Sequence, residues 1–171
     1  MVHPAALPLA ELLRDVEFRT TRGPGPGGQH RNKSDTMVRV THRPTGIAVQ
    51  AGERRSLELN RSIALFRLRV SLALRHRVPL DEPAPGAWMP SARWRSRARC
   101  GRLVVSPRHD DFPALLAEAL DALQRFRDDV PRTSRALDVS GTQLVRFLGL
   151  EPAALAALND RRRTAAKPPL R

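Results

Sequence analysis

The stretch that decides the fold is residues 16–51, VEFRTTRGPGPGGQHRNKSDTMVRVTHRPTGIAVQA. Apolar and polar side chains alternate over 16–20, which is the pattern of a half-buried strand. The same alternation returns over 37–41 and again over 47–51. The tetrapeptide Arg43-Pro44-Thr45-Gly46 between those two runs favours a type I turn, with Pro second and Gly fourth. The sequence therefore predicts a small three-stranded sheet whose second and third strands form an antiparallel hairpin.

Between the first two strands lies a loop, Arg22 to Lys33, with four glycines, two prolines and no periodicity. It has no apolar anchor, so we expect it to protrude. Gly27 and Gly28 permit backbone angles that other residues avoid and let a partner approach closely. Backbone N–H groups exposed in this way are suitable donors to the oxyanion that develops in acyl transfer. Gln29 adds a neutral side chain with donor and acceptor ends.

A long helix is predicted after the sheet. Ser56 is a good N-cap, and apolar residues then recur at helical spacing from Leu59 to Leu74. Their face would cover one side of the sheet, and Val78-Pro79 would end the helix. A proline-rich stretch follows, and the segment Ala92 to Arg102 then has five arginines and no acid. The proline-rich stretch favours a linker, and Ala92 to Arg102 is either a basic extension or a short irregular segment; residues 80–109 are together assigned as a Pro/Arg-rich linker.

The back part of the chain is predicted to be helical. Asp111 is an expected cap before an apolar stripe that runs to Phe126. A short helix is predicted over 134–139. Ser140 and Gln143 have capping-box spacing before another helix, and Pro152 suits the start of a last one.

The fold class is therefore α+β: a small antiparallel three-stranded sheet with a protruding loop and one long packing helix, followed by a small helical C-terminal module. The predicted domains are a front domain at 1–79, a Pro/Arg-rich linker at 80–109, and a helical module with a basic tail at 110–171.

Charge is concentrated at the front. The formal net charge of the 171-residue chain is +13, and Met1 to His109 holds 20 Lys and Arg against 8 Asp and Glu. Such a field favours a polyanionic partner, with nucleic acid ahead of an anionic membrane. High-GC codon usage, which enriches Arg, Ala and Pro together, is the alternative origin of this bias. Only 4% of residues are aromatic, which favours contacts with a folded RNA backbone over base stacking.

The remaining composition bounds the cellular context. A single cysteine, Cys100, excludes an intrachain disulfide and a cysteine-based zinc site, and the histidines show no metal spacing. The first residues have no basic n-region, and no apolar run approaches membrane-spanning length. We expect a soluble cytoplasmic protein with no metal, no cofactor and no membrane contact.

The loop Gly27-Gly28-Gln29 resembles the Gly-Gly-Gln motif of bacterial class I peptide chain release factors. The resemblance extends over about residues 16–77. It includes Asn32 and Lys33 after the motif, Val38-Arg39-Val40-Thr41-His42 and Pro44-Thr45-Gly46-Ile47 in the hairpin, and Arg55-Ser56 with Asn60 at the start of the long helix. One departure is Leu57, where that family usually has Gln.

This resemblance implies that the chain hydrolyses the peptidyl-tRNA ester in the peptidyl transferase centre of the ribosome. The implied catalytic residues are Gly27, Gly28 and Gln29, with the Gln29 N–H stabilising the tetrahedral intermediate. The remaining candidates would contact RNA: Arg22, His30, Arg31, Asn32, Lys33, Arg54, Arg55, Asn60 and Arg61. The implied partners are 23S rRNA and the P-site peptidyl-tRNA, and a monomer is expected.

Stop-codon recognition is not expected, because 171 residues leave no room for the codon-reading domains of full-length factors. The chain is similar in this respect to short ribosome-rescue hydrolases, although its tail after Asn159 is less basic than theirs. Two other interpretations remain open. Thr133 to Leu148 has the pattern of a nucleic-acid-binding helix-turn-helix, although Arg146 is the only cation of its second helix. The chain is alternatively a non-catalytic ribosome component.

Overall fold

The computed structural model describes residues 2–21, 36–78 and 88–170. Three antiparallel strands form its front: β1 (Val16–Thr21), β2 (Met37–His42) and β3 (Ala48–Ala51), in the order β1-β2-β3. Phe18 pairs with Val40, and Val40 pairs with Val49, so apolar side chains line up across one face. The predicted three-stranded antiparallel sheet is confirmed.

The β2–β3 hairpin closes around Gly46. The His42 N–H donates to the Ile47 carbonyl at 2.9 Å, and the Gly46 N–H donates to the His42 carbonyl at 2.8 Å. Gly46 has φ +69°, in the left-handed region that favours glycine. His42 is buried, and its Nδ1 lies 2.9 Å from the Thr45 hydroxyl. Burial lowers the pKa of His42, in keeping with a structural role inside the hairpin.

Helix α2 (Leu57–Arg75) covers the sheet, after a short N-terminal helix α1 (Leu9–Leu12). The Ser56 hydroxyl accepts the Leu59 N–H at 3.3 Å, which confirms the predicted cap. The predicted end at Val78-Pro79 is wrong, because the helix stops at Arg75 and His76 is extended. The Arg77 guanidinium donates to the carbonyls of Ala73 and Leu74, so the last turn is capped by a side chain.

Part of the predicted linker is folded. It contains α3 (Ala92–Arg97) and a small hairpin of β4 (Ala98–Arg99) and β5 (Arg102–Leu103). The Trp94 side chain in α3 is completely buried, and its Nε1–H donates to the Leu137 carbonyl at 2.7 Å. The exposed Cys100 and Gly101 form the hairpin turn with φ +50° and +74°. Helix α3 is therefore held against the helical module through Trp94, while the predicted linker residues 80–87 lie outside the described part of the chain.

Four helices complete the fold: α4 (Phe112–Arg125), α5 (Val130–Ala136), α6 (Gly141–Gly149) and α7 (Pro152–Thr164). The short helix predicted over 134–139 begins earlier, because Asp129 caps it by accepting the Arg132 N–H at 2.8 Å. The Ser140 hydroxyl accepts the Gln143 N–H at 3.2 Å, as predicted. The chain after α7 turns back, where Leu170 forms two backbone hydrogen bonds with the Asn159 amide, at 2.8 and 3.1 Å. The end of the predicted basic tail is therefore held against α7.

Asp111 stands at the N-cap of α4, as predicted, but its side chain makes no capping hydrogen bond. Its carboxylate instead accepts from Arg97 at 2.7 and 3.1 Å and lies 3.3 Å from Arg93. Charge-assisted contacts with two arginines are stronger than a capping hydrogen bond, which explains why the Asp111 carboxylate does not bind the backbone N–H groups of the first turn.

One hydrophobic core joins the sheet to the helical module. Val40 of β2, Leu68 of α2, Leu115 of α4 and Phe147 of α6 are buried in the same cluster. Helix α4 packs along α2, and Arg77 just after α2 binds Asp121 of α4 at 3.1 Å. Burial raises the pKa of Asp121 to about 6, although the Arg77 guanidinium opposes that shift. The domain boundaries at 79/80 and 109/110 stay predictions.

The N-terminal segment also links the two parts. Its first turn, a 3-10 helix over Pro4–Ala6, offers carbonyls to both neighbouring helices. The Arg69 guanidinium of α2 donates to the Ala5 carbonyl at 3.1 and 3.2 Å, and Arg93 of α3 donates to the Ala6 carbonyl at 3.1 Å. Over residues 2–21, 36–78 and 88–170, helices with the length and hydropathy of a membrane span are absent.

Candidate functional site at one end of the sheet

The segment that carries the Gly-Gly-Gln motif connects β1 to β2 at one end of the sheet. Thr21, the last residue of β1, pairs directly with Met37, the first residue of β2. The two described residues that flank the segment 22–36 therefore lie side by side at this end of the sheet. The predicted tip and its neighbours lie outside the described residues: Arg22, Gly27, Gly28, Gln29, His30, Arg31, Asn32 and Lys33.

The segment after β3 reaches the same end. Ala51 pairs with Val38, one residue from the start of β2. A Cβ on Gly52 would lie 3.3 Å from the Met37 Cγ, so the backbone passes close to the root of the loop. Arg54 and Arg55 follow and are exposed. The predicted basic pair thus stands beside the point where the loop joins the sheet.

The structure corrects the role predicted for Asn60. Its side chain is completely buried rather than presented to RNA. Its Oδ1 accepts the Arg54 N–H at 2.9 Å, and its Nδ2 donates to the Thr36 carbonyl at 2.6 Å and to the Arg54 carbonyl at 2.8 Å. The amide is fully engaged within the protein because a buried polar side chain needs internal partners. Asn60 therefore supports the site from inside.

Arg61 is exposed, as an RNA contact requires, and it is held in a defined position. Its guanidinium carbon lies 4.0 Å from the centroid of the Phe18 ring on β1. Stacking over an aromatic face orients the guanidinium and leaves its N–H edges available to an acceptor. The contact also ties α2 to the first strand.

An acidic residue at this end is already neutralised. Glu53, next to Arg54, forms an ion pair with Arg67 of α2. A hydrogen bond within its own residue and then the Arg67 guanidinium hold the pKa of the Glu53 carboxyl below its ordinary value. Arg67 also donates to the Gln50 carbonyl at 3.0 Å. Arg54 and Arg55 are exposed, so this end of the sheet carries two cationic side chains at its surface.

Within the structure as described, groups of three or more His, Cys, Asp or Glu with metal-binding geometry are absent. Two of the histidines are committed to structural contacts. His3 uses both ring nitrogens, for the Ala5 N–H at 3.0 Å and the His76 carbonyl at 3.1 Å, and His42 lies in the hairpin.

Sequence reasoning missed three residues of this site. Thr36 contributes a backbone carbonyl, Phe18 a ring face and Arg67 the partner of Glu53. The alternation of β1 predicts that Phe18 faces inward, but its contact with Arg61 depends on where α2 crosses the sheet. A backbone acceptor such as Thr36 leaves no signal in a single sequence.

Comparison with known proteins matches this region. Residues 12–87 match the family model described as "RF-1 domain". The chain is 53% identical over 58 residues to Peptide chain release factor 2 of Acidovorax sp. (strain JS42) and to that of Variovorax paradoxus (strain S110). It is 48% identical over 58 residues to Peptide chain release factor 1 of Caldicellulosiruptor saccharolyticus. Each alignment covers 34% of this chain and 16% of the relative, so the shared part is about a sixth of those proteins.

The match includes β1, β2, β3 and α2, together with the loop between the first two strands. Residues 88–170, with the helical module, lie beyond it. Over residues 12–87, less than half of its length, the chain is therefore similar to the RF-1 domain of peptide chain release factors.

Proposed function

We propose that the chain hydrolyses the peptidyl-tRNA ester on the ribosome, with Gly27, Gly28 and Gln29 as its catalytic tip. The observation that carries the proposal is the direct pairing of Thr21 with Met37 within the region that matches the release factor domain. This pairing roots the segment 22–35, which contains the Gly-Gly-Gln sequence, at one end of a buttressed sheet. The same end carries the exposed Arg54, Arg55 and Arg61.

In the proposed mechanism the tip enters the peptidyl transferase centre, beside 23S rRNA and the P-site peptidyl-tRNA. The Gln29 N–H donates to the oxyanion that forms when water attacks the ester carbonyl. The Gln29 side chain shapes a pocket that admits water and excludes larger nucleophiles. Arg22, His30, Arg31, Asn32 and Lys33 would contact RNA around the tip. The carbonyl carbon gains the hydroxide oxygen, and the tRNA ribose oxygen leaves with a proton.

We further propose that release is independent of the stop codon and serves to rescue stalled ribosomes in the cytoplasm. The supporting feature is the extent of the similarity: the RF-1 domain model matches residues 12–87, and each alignment covers only 16% of the full-length release factor. The chain needs no cofactor in this scheme, because the ester is activated by positioned backbone amides and RNA groups.

The decisive experiment measures peptide release from ribosomes that carry peptidyl-tRNA in the P site. Three complexes are compared: an mRNA that ends at the P site, a stop codon in the A site, and a sense codon in the A site. We expect release from the truncated complex without a need for a stop codon. Release seen only with a stop codon would contradict codon independence, and no release from any complex would contradict the proposed activity.

Gly28→Ala tests the tip itself. A Cβ at the tip should block the backbone geometry that brings the Gln29 N–H to the ester, so we expect release to fall by at least about 100-fold. Ribosome binding should stay within about twofold, because the basic residues are untouched. Gly149→Ala is the matched control, since a Cβ there meets only Leu155 at an ordinary contact distance of 3.8 Å. Wild-type release by Gly28→Ala would rule out the tip mechanism.

The helix-turn-helix alternative receives little support. Helices α5 and α6 are joined by a short turn, but Leu144, Val145, Phe147 and Leu148 of α6 are buried. Among the exposed residues of α6, Arg146 is the single cation, which is poor for contact with phosphates or bases.

A further inference from the structure

Asn60 is one of the few buried polar side chains among the described residues, and its amide joins two segments that are distant in sequence. Thr36 immediately follows the loop 22–35, and Arg54 begins the basic pair after β3. The Asn60 amide contacts both, at 2.6 Å to the Thr36 carbonyl and at 2.9 and 2.8 Å to the N–H and carbonyl of Arg54. One side chain thus fixes three backbone groups of the site.

The contacts are stereochemically complete. An Asn amide has two N–H donors and one carbonyl acceptor, and here the two carbonyls and the one N–H match that set. Removing the amide would leave the Thr36 and Arg54 carbonyls without this donor and the Arg54 N–H without this acceptor. These hydrogen bonds therefore favour one arrangement of the Thr36 segment relative to the Arg54 segment.

The support continues along α2. Asn60 lies one turn after the Ser56 cap, and the neighbouring Arg61 stacks on Phe18 of β1. The first turns of α2 consequently contact β1, the start of β2 and the segment after β3 through side chains. Thr36, next to the segment 22–35, and Arg54 are therefore held by the same turn of α2.

We propose that Asn60 is a positioning residue for peptide release: it fixes the root of the Gly-Gly-Gln loop at Thr36 relative to the RNA-contacting segment at Arg54. This proposal rests on the proposed function. When Arg54 and Arg55 bind rRNA, the amide transmits that register to the loop, so the tip reaches the ester in the correct place. A displacement of about 1 Å at a reacting group is enough to reduce a rate by about 100-fold.

The test compares Asn60→Ala and Asn60→Ser in the full-length chain. Each removes the two-donor amide, and the Ser hydroxyl is too short to serve both carbonyls. We expect the single-turnover release rate at saturating protein to fall at least about tenfold per folded molecule, while ribosome affinity changes less than about threefold. The folded fraction is measured by circular dichroism at the assay temperature.

Thr133→Val is the matched control. Thr133 is also completely buried, and its hydroxyl donates to the Asp129 carbonyl at 2.7 Å, but it lies in α5 of the helical module. Loss of this hydroxyl removes one buried hydrogen bond, so it should lower stability but leave the release rate per folded molecule unchanged. An equal fall in rate for Thr133→Val would mean that Asn60 acts only through global stability, and the proposal would be overturned.

Two further readouts separate the possible failures. A loss of affinity with an unchanged rate at saturation would make Asn60 a support of RNA binding rather than of tip placement. Hydrogen exchange tests the link without a ribosome: the amides of Arg54 and residues 36–38 should exchange faster in both Asn60 variants and not in Thr133→Val. Unchanged exchange at these amides in the Asn60 variants would refute the coupling, even if the wild-type chain released no peptide. If the variants exchange faster but the wild-type chain releases no peptide, only the proposed function is contradicted.

Discussion

At the residue scale, His3 governs part of the response to acid. Its Nδ1 accepts the Ala5 N–H and its Nε2 donates to the His76 carbonyl, an arrangement that requires the neutral ring. Burial lowers the pKa of His3 to about 4. Between the unfolded value near 6.5 and about 4, the unfolded chain binds a proton that the folded chain does not, so this residue lowers stability as the pH falls through that window.

The replacement His3→Asn tests this effect. Asn keeps an acceptor for the Ala5 N–H and cannot ionise. From pH 7 to pH 5, we expect the free energy of unfolding of the wild type to fall by about 2 kcal/mol more than that of the variant, as measured by urea denaturation. Asp121, whose raised pKa of about 6 favours the folded state as the pH falls, acts in both proteins and cancels. Parallel pH profiles would show that His3 does not stay neutral in the fold.

At the scale of elements, Trp94 anchors α3 in the helical module. It is completely buried, contacts Phe147 edge-on at 5.8 Å between ring centroids, and donates its Nε1–H to the Leu137 carbonyl. Trp94→Phe removes that donor and leaves a small cavity, so we expect a loss of about 2–3 kcal/mol in urea denaturation. Trp88→Phe is the control, because Trp88 is only partly buried and should cost less than about 1 kcal/mol. Equal effects would mean that α3 is not anchored through Trp94.

The elements also show which features a single sequence reveals. The strands, the Ser56 cap and the Ser140 cap depend on neighbours within a few residues, and they are confirmed. Trp94 packs against Leu137, and Asp111 binds Arg93 and Arg97. Contacts between residues so far apart leave no local pattern in the sequence, and the linker over residues 80–109 stays a prediction. For the candidate site, the sequence locates the basic surface at Arg54, Arg55 and Arg61, but it misassigns Asn60 because its partner Thr36 is 24 residues away.

At the scale of the whole molecule, ion pairs neutralise some arginines of the basic front part with acidic residues of the back part. Asp111 and Asp121 of the back part are bound by Arg93, Arg97 and Arg77 from earlier in the chain. Those arginines lie between α2 and the helical module and are partly buried. The packing of α4 on α2 therefore favours a stabilising role for this helix. At the end of the sheet, Arg54, Arg55 and Arg61 are exposed.

This distribution predicts a salt-dependent association. Replacing Arg54 and Arg55 together with Glu should weaken ribosome binding by roughly tenfold or more near 0.15 M salt and reduce the slope of log K against log salt. Arg146→Glu, an exposed change on α6, is the control and should alter both quantities little. Binding measured by ultracentrifugation over a salt series decides the matter. An affinity that does not change with salt would contradict an electrostatic contact.

The turn between β4 and β5 gives the chain a practical property. Cys100 is the only cysteine of the sequence, and it is exposed in the turn of the β4–β5 hairpin. The following residue, Gly101, forms a β-bridge with Val139. A thiol-reactive fluorophore would therefore attach to the unmodified protein at one defined position on the helical module. Energy transfer from that dye to a labelled tRNA or ribosomal subunit would report where the module lies during binding, without any substitution in the chain.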